Sequence, residues 1–363
     1  MIGRLLEVYR IVRQVFGQTF RPLFTGLLII DFQLISRISW ALDEVFFRRY
    51  RTAKVERPIF IIGNPRSGTT VMQRFLADAN QTCSFQVWQM IVPSLLGQML
   101  LRPFVPLFSR FNPARHYARE AHETSLDAVE TDEALLSFRF LEGLFVFLFF
   151  KGWGPGDPVG ELVESHAAGS DKNKNELAFY RKALQKNLYQ SGKPRVLGKP
   201  FTFVLRIDDV LKEFPDARLI YMVRDPADVI PSGINMLRMV TDKQFKTSTL
   251  DQSIQQRYFN NLYRGEIALY RQFYDAWKGG RIPEENLMIV RFPDLMQNFE
   301  KVMDEIFAFT GFEVNDELAQ QVAQQAEKQR NYKSKHRYDL QSIGLSREQI
   351  RQDLDFVYNG FEL

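Results

Sequence analysis

The 363-residue chain is 45% hydrophobic and 25% charged, which is enough apolar mass for a large folded core and too much for a disordered segment. A single cysteine, Cys83, excludes an internal disulfide framework and a cysteine-rich metal site, and four histidines at 116, 122, 166 and 336 are not spaced like zinc ligands. The net charge of +4 is small and no recognisable nucleic-acid motif accompanies it, so nucleic acid is not expected as a partner and no metal is expected in the site.

Residues 1–57 read as a basic, amphipathic helical extension. They hold ten Arg/Lys against five acids, and Leu5, Val8, Tyr9, Val12, Val15 and Phe16 recur at helical spacing. The apolar run Leu27-Leu28-Ile29-Ile30 is far short of the roughly 20 residues that span a bilayer, and charges at Asp31 and Arg37 interrupt the chain beyond it. Such an arm either packs on the adjoining domain or lies on an anionic membrane surface. The first twenty residues lack the continuous apolar centre of a signal peptide. With the lone cysteine, this sets the expectation of a cytoplasmic protein, peripheral at the inner membrane face if the arm binds lipid.

A second unit is expected over 58–363. Ile59 to Ile62 read as a buried strand, Gly63 to Gly68 as a loop, and Val71, Met72, Phe75 and Leu76 as one face of a helix running from 69 to about 79. A strand entering a helix through a glycine loop gathers free backbone N–H groups at one point, where the helix dipole also favours an anion. Arg66, Ser67, Gly68, Thr69 and Thr70 surround that point. Gly63 and Gly68 have the spacing of a nucleoside-triphosphate P-loop, yet Thr69 occupies the position of its lysine. A P-loop kinase or NTPase is therefore the weaker reading, and a donor with a single phosphate-like head the stronger one.

The segment Pro65-Arg66-Ser67-Gly68-Thr69-Thr70 resembles the 5′-phosphosulfate loop of sulfotransferases that use 3′-phosphoadenosine 5′-phosphosulfate (PAPS), in the arginine form of the bacterial and protein-tyrosine branch. Two further segments share the resemblance, in the family's order. Gly198-Lys199-Pro200-Phe201-Thr202 is similar to the segment that places a lysine near the sulfuryl group. Phe214 to Ser232 is similar to the 3′-phosphate segment, with Arg224 at a strand end and Ser232 eight residues later. The three anchor roughly residues 58–312.

Between these anchors, Cys83 to Met90 offers Gln86 and Gln89 where the protein-tyrosine branch carries a glutamate, so no carboxylate base is available there. The acid-rich stretch His116 to Glu133 resembles the His-Glu and acid-pair region of bacterial sulfotransferases. It supplies His122 as the candidate base, with Glu123, Glu130 or Glu133 as helper or alternative. Leu144 to Phe150 is an apolar run, either a buried helix or the lining for a hydrophobic acceptor, and Lys151 to Pro158 is a turn-rich break. Helical patterns fill 176–189, 204–213, 226–239, 251–277, 294–309 and 315–330, with strands at 195–198, 218–223 and 287–291. The alternation predicts an α/β, P-loop-like three-layer fold, a central parallel sheet flanked by helices. Arg66, Lys199 and Arg224 then lie at strand ends, where open parallel sheets bind ligands.

By resemblance, Ile289 to Leu295 is the step into the helical C-terminal part, with Phe292 where a tyrosine is usual. Tyr332 to Arg337 is similar to a cofactor-closing tail, from which Lys333 and Lys335 reach the 3′-phosphate unless they form only a solvated turn. The resemblance implies transfer of a sulfuryl group from PAPS to an acceptor hydroxyl or amine, hydrophobic or lipid-like if the apolar run lines the site, with 3′,5′-adenosine bisphosphate (PAP) as product. The loop holds the 5′-phosphosulfate, Lys199 the leaving-group charge, and Arg224 with Ser232 the 3′-phosphate. The readings from other classes are the P-loop kinase or NTPase and a non-catalytic, membrane-associated anion-binding protein.

Overall fold

A computed structural model describes residues 2–111, 125–138, 140–330 and 340–363. Five parallel strands form one sheet: β1 (Ile59–Ile62), β2 (Thr82–Cys83), β3 (Arg195–Gly198), β4 (Arg218–Val223) and β5 (Leu287–Arg291), in the order β2-β3-β1-β4-β5. Every residue of β1 is buried, as expected of a strand covered on both faces. The pleat divides its side chains between two cores. Phe60 and Ile62, with Leu219, Tyr221 and Val223 of β4, enter a large cluster built with helices Asp171–Ser191 and Gln252–Lys278. Ile59 and Ile61, with Ile220 and Met222, enter a second cluster with Met72, Leu76, Met303 and Ile306. The result is the expected three-layer α/β arrangement.

The four longer strands fall where the sequence places them, and β2, two residues long, is too short to carry a periodic signal. The predicted helix over 204–213 is broken: a 3-10 turn, Phe201–Leu205, precedes helix Ile207–Glu213, and Arg206 between them turns inward to a buried carboxylate. The predicted helix over 294–309 is likewise two, Phe292–Gln297 and Phe299–Thr310, joined at Asn298. Short helices at Val87–Ile91 and Leu95–Leu101, and two at the C-terminus, Arg347–Asp353 and Asp355–Phe361, carry no periodic signal long enough to read.

The extension is helical and docked. Helix Ile2–Phe16 buries Ile11 and Val12, and Phe16 stacks on Phe245 and meets Trp153 edge-on. A second helix runs unbroken through Asp31 and Arg37 from Phe20 to Phe46. By length and composition alone it could cross a membrane, so the Leu27–Ile30 run by itself understates the apolar length of this segment. Its far end is pinned by buried Asp43, which accepts hydrogen bonds from the Leu95 and Leu96 amides at 2.8 and 2.9 Å and from Lys186 Nζ at 2.7 Å. That lysine also lies 3.1 Å from the Trp40 ring centroid, and burial lowers its pKa to about 8.

Candidate active site

β1 is flanked by β3 and β4, so the chain leaves three adjacent strands at one edge of the sheet. Arg66, Lys199 and Arg224 follow β1, β3 and β4 respectively within a few residues. The loop after β1 has a shape that only glycine permits at two positions. Gly63 has φ +134°, and a Cβ there would press into the Met222 carbonyl oxygen. Gly68, at φ +96°, would put its Cβ 3.1 Å from the Phe292 ring. It caps helix Thr69–Asp78 without a side-chain acceptor, leaving the first-turn N–H groups to a ligand. Arg66 itself takes a left-handed φ of +77°.

The loop is braced from beneath. Ser67 donates its hydroxyl to the Asn64 carbonyl, and Asn64 Nδ2 donates to Glu266 Oε2 at 2.6 Å and to the Glu266 carbonyl at 3.0 Å. Glu266 is buried, and desolvation pushes its carboxyl up to about 7, with the Asn64 hydrogen bond acting the other way. Above the loop, Arg66 Nε donates to Ser232 Oγ at 3.0 Å. The sequence reading gives Arg66 and Ser232 to opposite ends of the donor; the structure brings them into direct contact. Arg224, a quarter exposed, lies 4.5 Å from the Phe292 ring centroid and 3.4 Å from Asp228, which also pairs with Arg347. The Phe292 ring therefore lies against both the glycine loop and the second arginine.

Lys199 is buried at the end of β3. Its Nζ lies 2.8 Å from Thr70 Oγ1 and 3.3 Å from Glu130 Oε2, while Glu130 Oε1 accepts from Arg74 at 2.8 Å. Burial lowers the Lys199 pKa, opposed by Glu130. Its backbone amide donates to Asp132 Oδ2 at 3.2 Å, and burial raises Asp132 to about 7. Glu133 sits in a different cluster: its Oε1 pairs with Arg206 at 2.8 Å, and Arg206 also pairs with Glu176 at 2.6 Å, all well buried. Glu133 thus faces Arg206 and not Lys199. Thr69 is buried at the helix start. His122 and Glu123, and Lys333 and Lys335, lie outside the described residues.

Sequence reasoning does not single out Arg74, Asn64 or Glu266, nor the contacts of Phe292. Arg74 carries a signal, since it follows Thr70 by four residues and shares its helix face. Glu266 carries none, because it is 202 residues from Asn64 in the chain.

A glycine loop opening a helix between two strand-end cations is the architecture of proteins that hold a doubly charged nucleotide donor at the carboxyl edge of a parallel sheet. The model of the sulfotransferase family matches residues 58–316, and the chain belongs to that family. It is 24% identical over 274 residues to the omega-hydroxy-beta-dihydromenaquinone-9 sulfotransferase Stf3 of Mycobacterium bovis, and equally to that of Mycobacterium tuberculosis. The match takes in 74% of this chain and 66% of the relative, so the chain spans just under two thirds of the curated relatives' length. The fold is similar to that of sulfotransferase STF1 from Mycobacterium tuberculosis, with a TM-score of 0.75 at 16% identity over 97% of this chain and 90% of that one. It is also similar to STF9 from Mycobacterium avium, with a TM-score of 0.72 at 21% identity over 90% and 81%.

Proposed function

We propose that the protein transfers the sulfuryl group of PAPS to the hydroxyl of a hydrophobic, lipid-like alcohol, releasing PAP. The observation that carries this reading is the placement of Arg66, Lys199 and Arg224 just beyond three adjacent strands, beside a loop whose glycines let it close against Met222 and Phe292. A lipid-like acceptor is supported by the relatives' names, which specify a menaquinone derivative; the apolar helix Leu144–Phe149 packs into the main core, as the buried-helix reading has it.

In this scheme the first-turn N–H groups, Arg66, Ser67, Gly68, Thr69 and Thr70 hold the 5′-phosphosulfate, and Arg224 with Ser232 holds the 3′-phosphate. The point charge that nucleoside-triphosphate enzymes place on a loop lysine comes here from Lys199. It turns from Thr70 and Glu130 toward the oxygen that leaves with PAP and neutralises the charge growing there. That movement frees Glu130 Oε2, still oriented by Arg74, to accept the proton of the attacking hydroxyl. The acceptor O–S bond forms as the S–O bond to the phosphate breaks; the sulfate ester and PAP depart, and Glu130 returns its proton to solvent. His122 and Glu123 are the proposed partners in that proton transfer, and Lys333 and Lys335 close on the 3′-phosphate. The cationic side chains supply the neutralisation, so the scheme calls for no divalent metal.

We further propose that residues 1–57 are an appendage to a transferase unit spanning 58–363, acting in the cytoplasm at the inner face of an anionic membrane. Metal-free thermal melting with PAP tests the donor assignment: a rise in melting temperature is expected, and stabilisation only by Mg-ATP would overturn it. Labelled PAPS incubated with a lipid extract tests the acceptor, where label confined to polar soluble products would refute the lipid reading.

A further inference from the structure

The helix Phe20–Phe46 docks with its polarity reversed. Its buried residues are Gln33, Ser36 and Asp43, which share one face at i, i+3 and i+10. The opposite face exposes Phe24 (65%), Leu27 (61%), Leu34 (58%) and Ile38 (53%). A helix packed on an aqueous protein surface puts its apolar stripe inward and its polar stripe outward. Hydrogen bonds carry part of the inward contact, Asp43 accepting from the Leu95 and Leu96 amides and from Lys186 and Ser39 pairing with Ser94 at 2.7 Å, while half-buried Trp40 packs on Phe179 with ring centroids 4.7 Å apart. Helix Leu95–Leu101, on which it rests, also exposes Leu100, and helix Val105–Phe111 exposes Leu107. Phe24, Leu27, Leu34 and Ile38 thus form an apolar stripe along one helix, unlike the singly scattered hydrophobes of an ordinary soluble surface.

We infer that this stripe is inserted into the outer part of a lipid leaflet, with the helix lying in the membrane plane. Three features select lipid over other occupants and in-plane over spanning. The apolar stripe belongs to a 27-residue helix apolar enough for hydrocarbon, with only Asp31 and Arg37 charged between Arg21 and Asp43. Exposed Arg21, Arg48 and Arg49 mark its two ends, where cations suit anionic headgroups. Asp31 lies on the apolar face, and Gln33, Ser36 and Asp43 are committed to the protein, so the helix sits at headgroup depth and does not cross. The inference deepens the lipid-acceptor reading by naming where the enzyme meets its acceptor, but its evidence is independent of the chemistry.

Flotation of the full chain with phosphatidylcholine vesicles, with and without phosphatidylglycerol, tests it. The protein floats with the anionic vesicles and stays bound in high salt, because apolar insertion is not screened. The variant Leu27→Glu/Leu34→Glu, altered only at exposed positions, lowers the partition coefficient about a hundredfold while its PAP-induced melting shift matches the parent. A parent protein that stays at the bottom of the gradient, or a variant that floats equally well, overturns the inference. So does a parent dimer in light scattering that the same variant dissolves, which would make a second copy the occupant. Flotation without sulfation of any lipid would leave the inference standing and end the acceptor reading.

Discussion

Residues 59–70 and residues 20–46 are both apolar stretches interrupted by polar groups, and the fold sorts them in opposite directions. In the first, all four strand residues are buried and the polar groups emerge together at the strand tip. In the second, Gln33, Ser36 and Asp43 are buried while Phe24, Leu27, Leu34 and Ile38 emerge. A strand at the middle of a parallel sheet has no choice, since both its faces meet helices. A helix has two faces, and the one that docks is decided by the partners available. Here Lys186 and the amides of Leu95 and Leu96 make the polar face the adhesive one.

The contrast can be broken at either region. The largest effect is expected at the cradle: Lys199→Met lowers kcat about a thousandfold or more by removing the charge proposed to stabilise the leaving group, while PAP still raises the melting temperature. A loss of PAP binding with unchanged kcat on saturation would assign Lys199 to the ground state instead. At the helix, Asp43→Ala leaves Lys186 buried without its counter-charge and costs about 3–5 kcal/mol, read from the denaturant midpoint. Adding Lys186→Met recovers most of that loss if the pair, not the shape, is responsible. Arg224→Ala comes next, weakening PAP about 10- to 100-fold through the lost charge-assisted contact and leaving 5′-AMP nearly unchanged in calorimetry. Equal losses for both nucleotides would detach Arg224 from the 3′ position.

The smallest effect concerns pH. Burial raises Glu266 from 4.5 to about 7, so the native state holds a proton that the unfolded chain releases near pH 4.5. The associated stability is complete below about 4.5 and is lost as pH rises through 7. The neighbours that face Glu266 are Asn64 and the phenols of Tyr221 and Tyr270, whose pKa values are raised by burial first and by the Glu266 charge in addition, so they remain neutral there. An anion held by the loop above favours the protonated form. PAP affinity therefore falls severalfold as pH rises from about 6 to about 8, and Glu266→Gln flattens that profile in calorimetric titration.

Much of this is legible in the chain before folding. The glycine loop, Lys199 and Arg224 are local signals, because each cation sits beside the strand that carries it, and the parallel sheet follows from alternating elements, though its strand order does not. The illegible part depends on distant pairing. Glu133 and Glu130 look alike in the acid-rich stretch, and only the fold gives one to Arg206 and the other to Lys199 and Arg74. The Leu27–Ile30 run looks too short to matter when span is judged from uninterrupted residues, whereas the helix carries its apolar side chains on one face past Asp31 and Arg37.

Gly63 has one more bearing on experiment. Any side chain there would collide with the backbone of Met222 in the neighbouring strand, and no rotamer relieves it. In a random library selected for lost activity, changes at this codon will be recovered regardless of the incoming residue's chemistry. Position 63 will score as intolerant for shape alone, while Arg66, three residues on, will grade its replacements by charge.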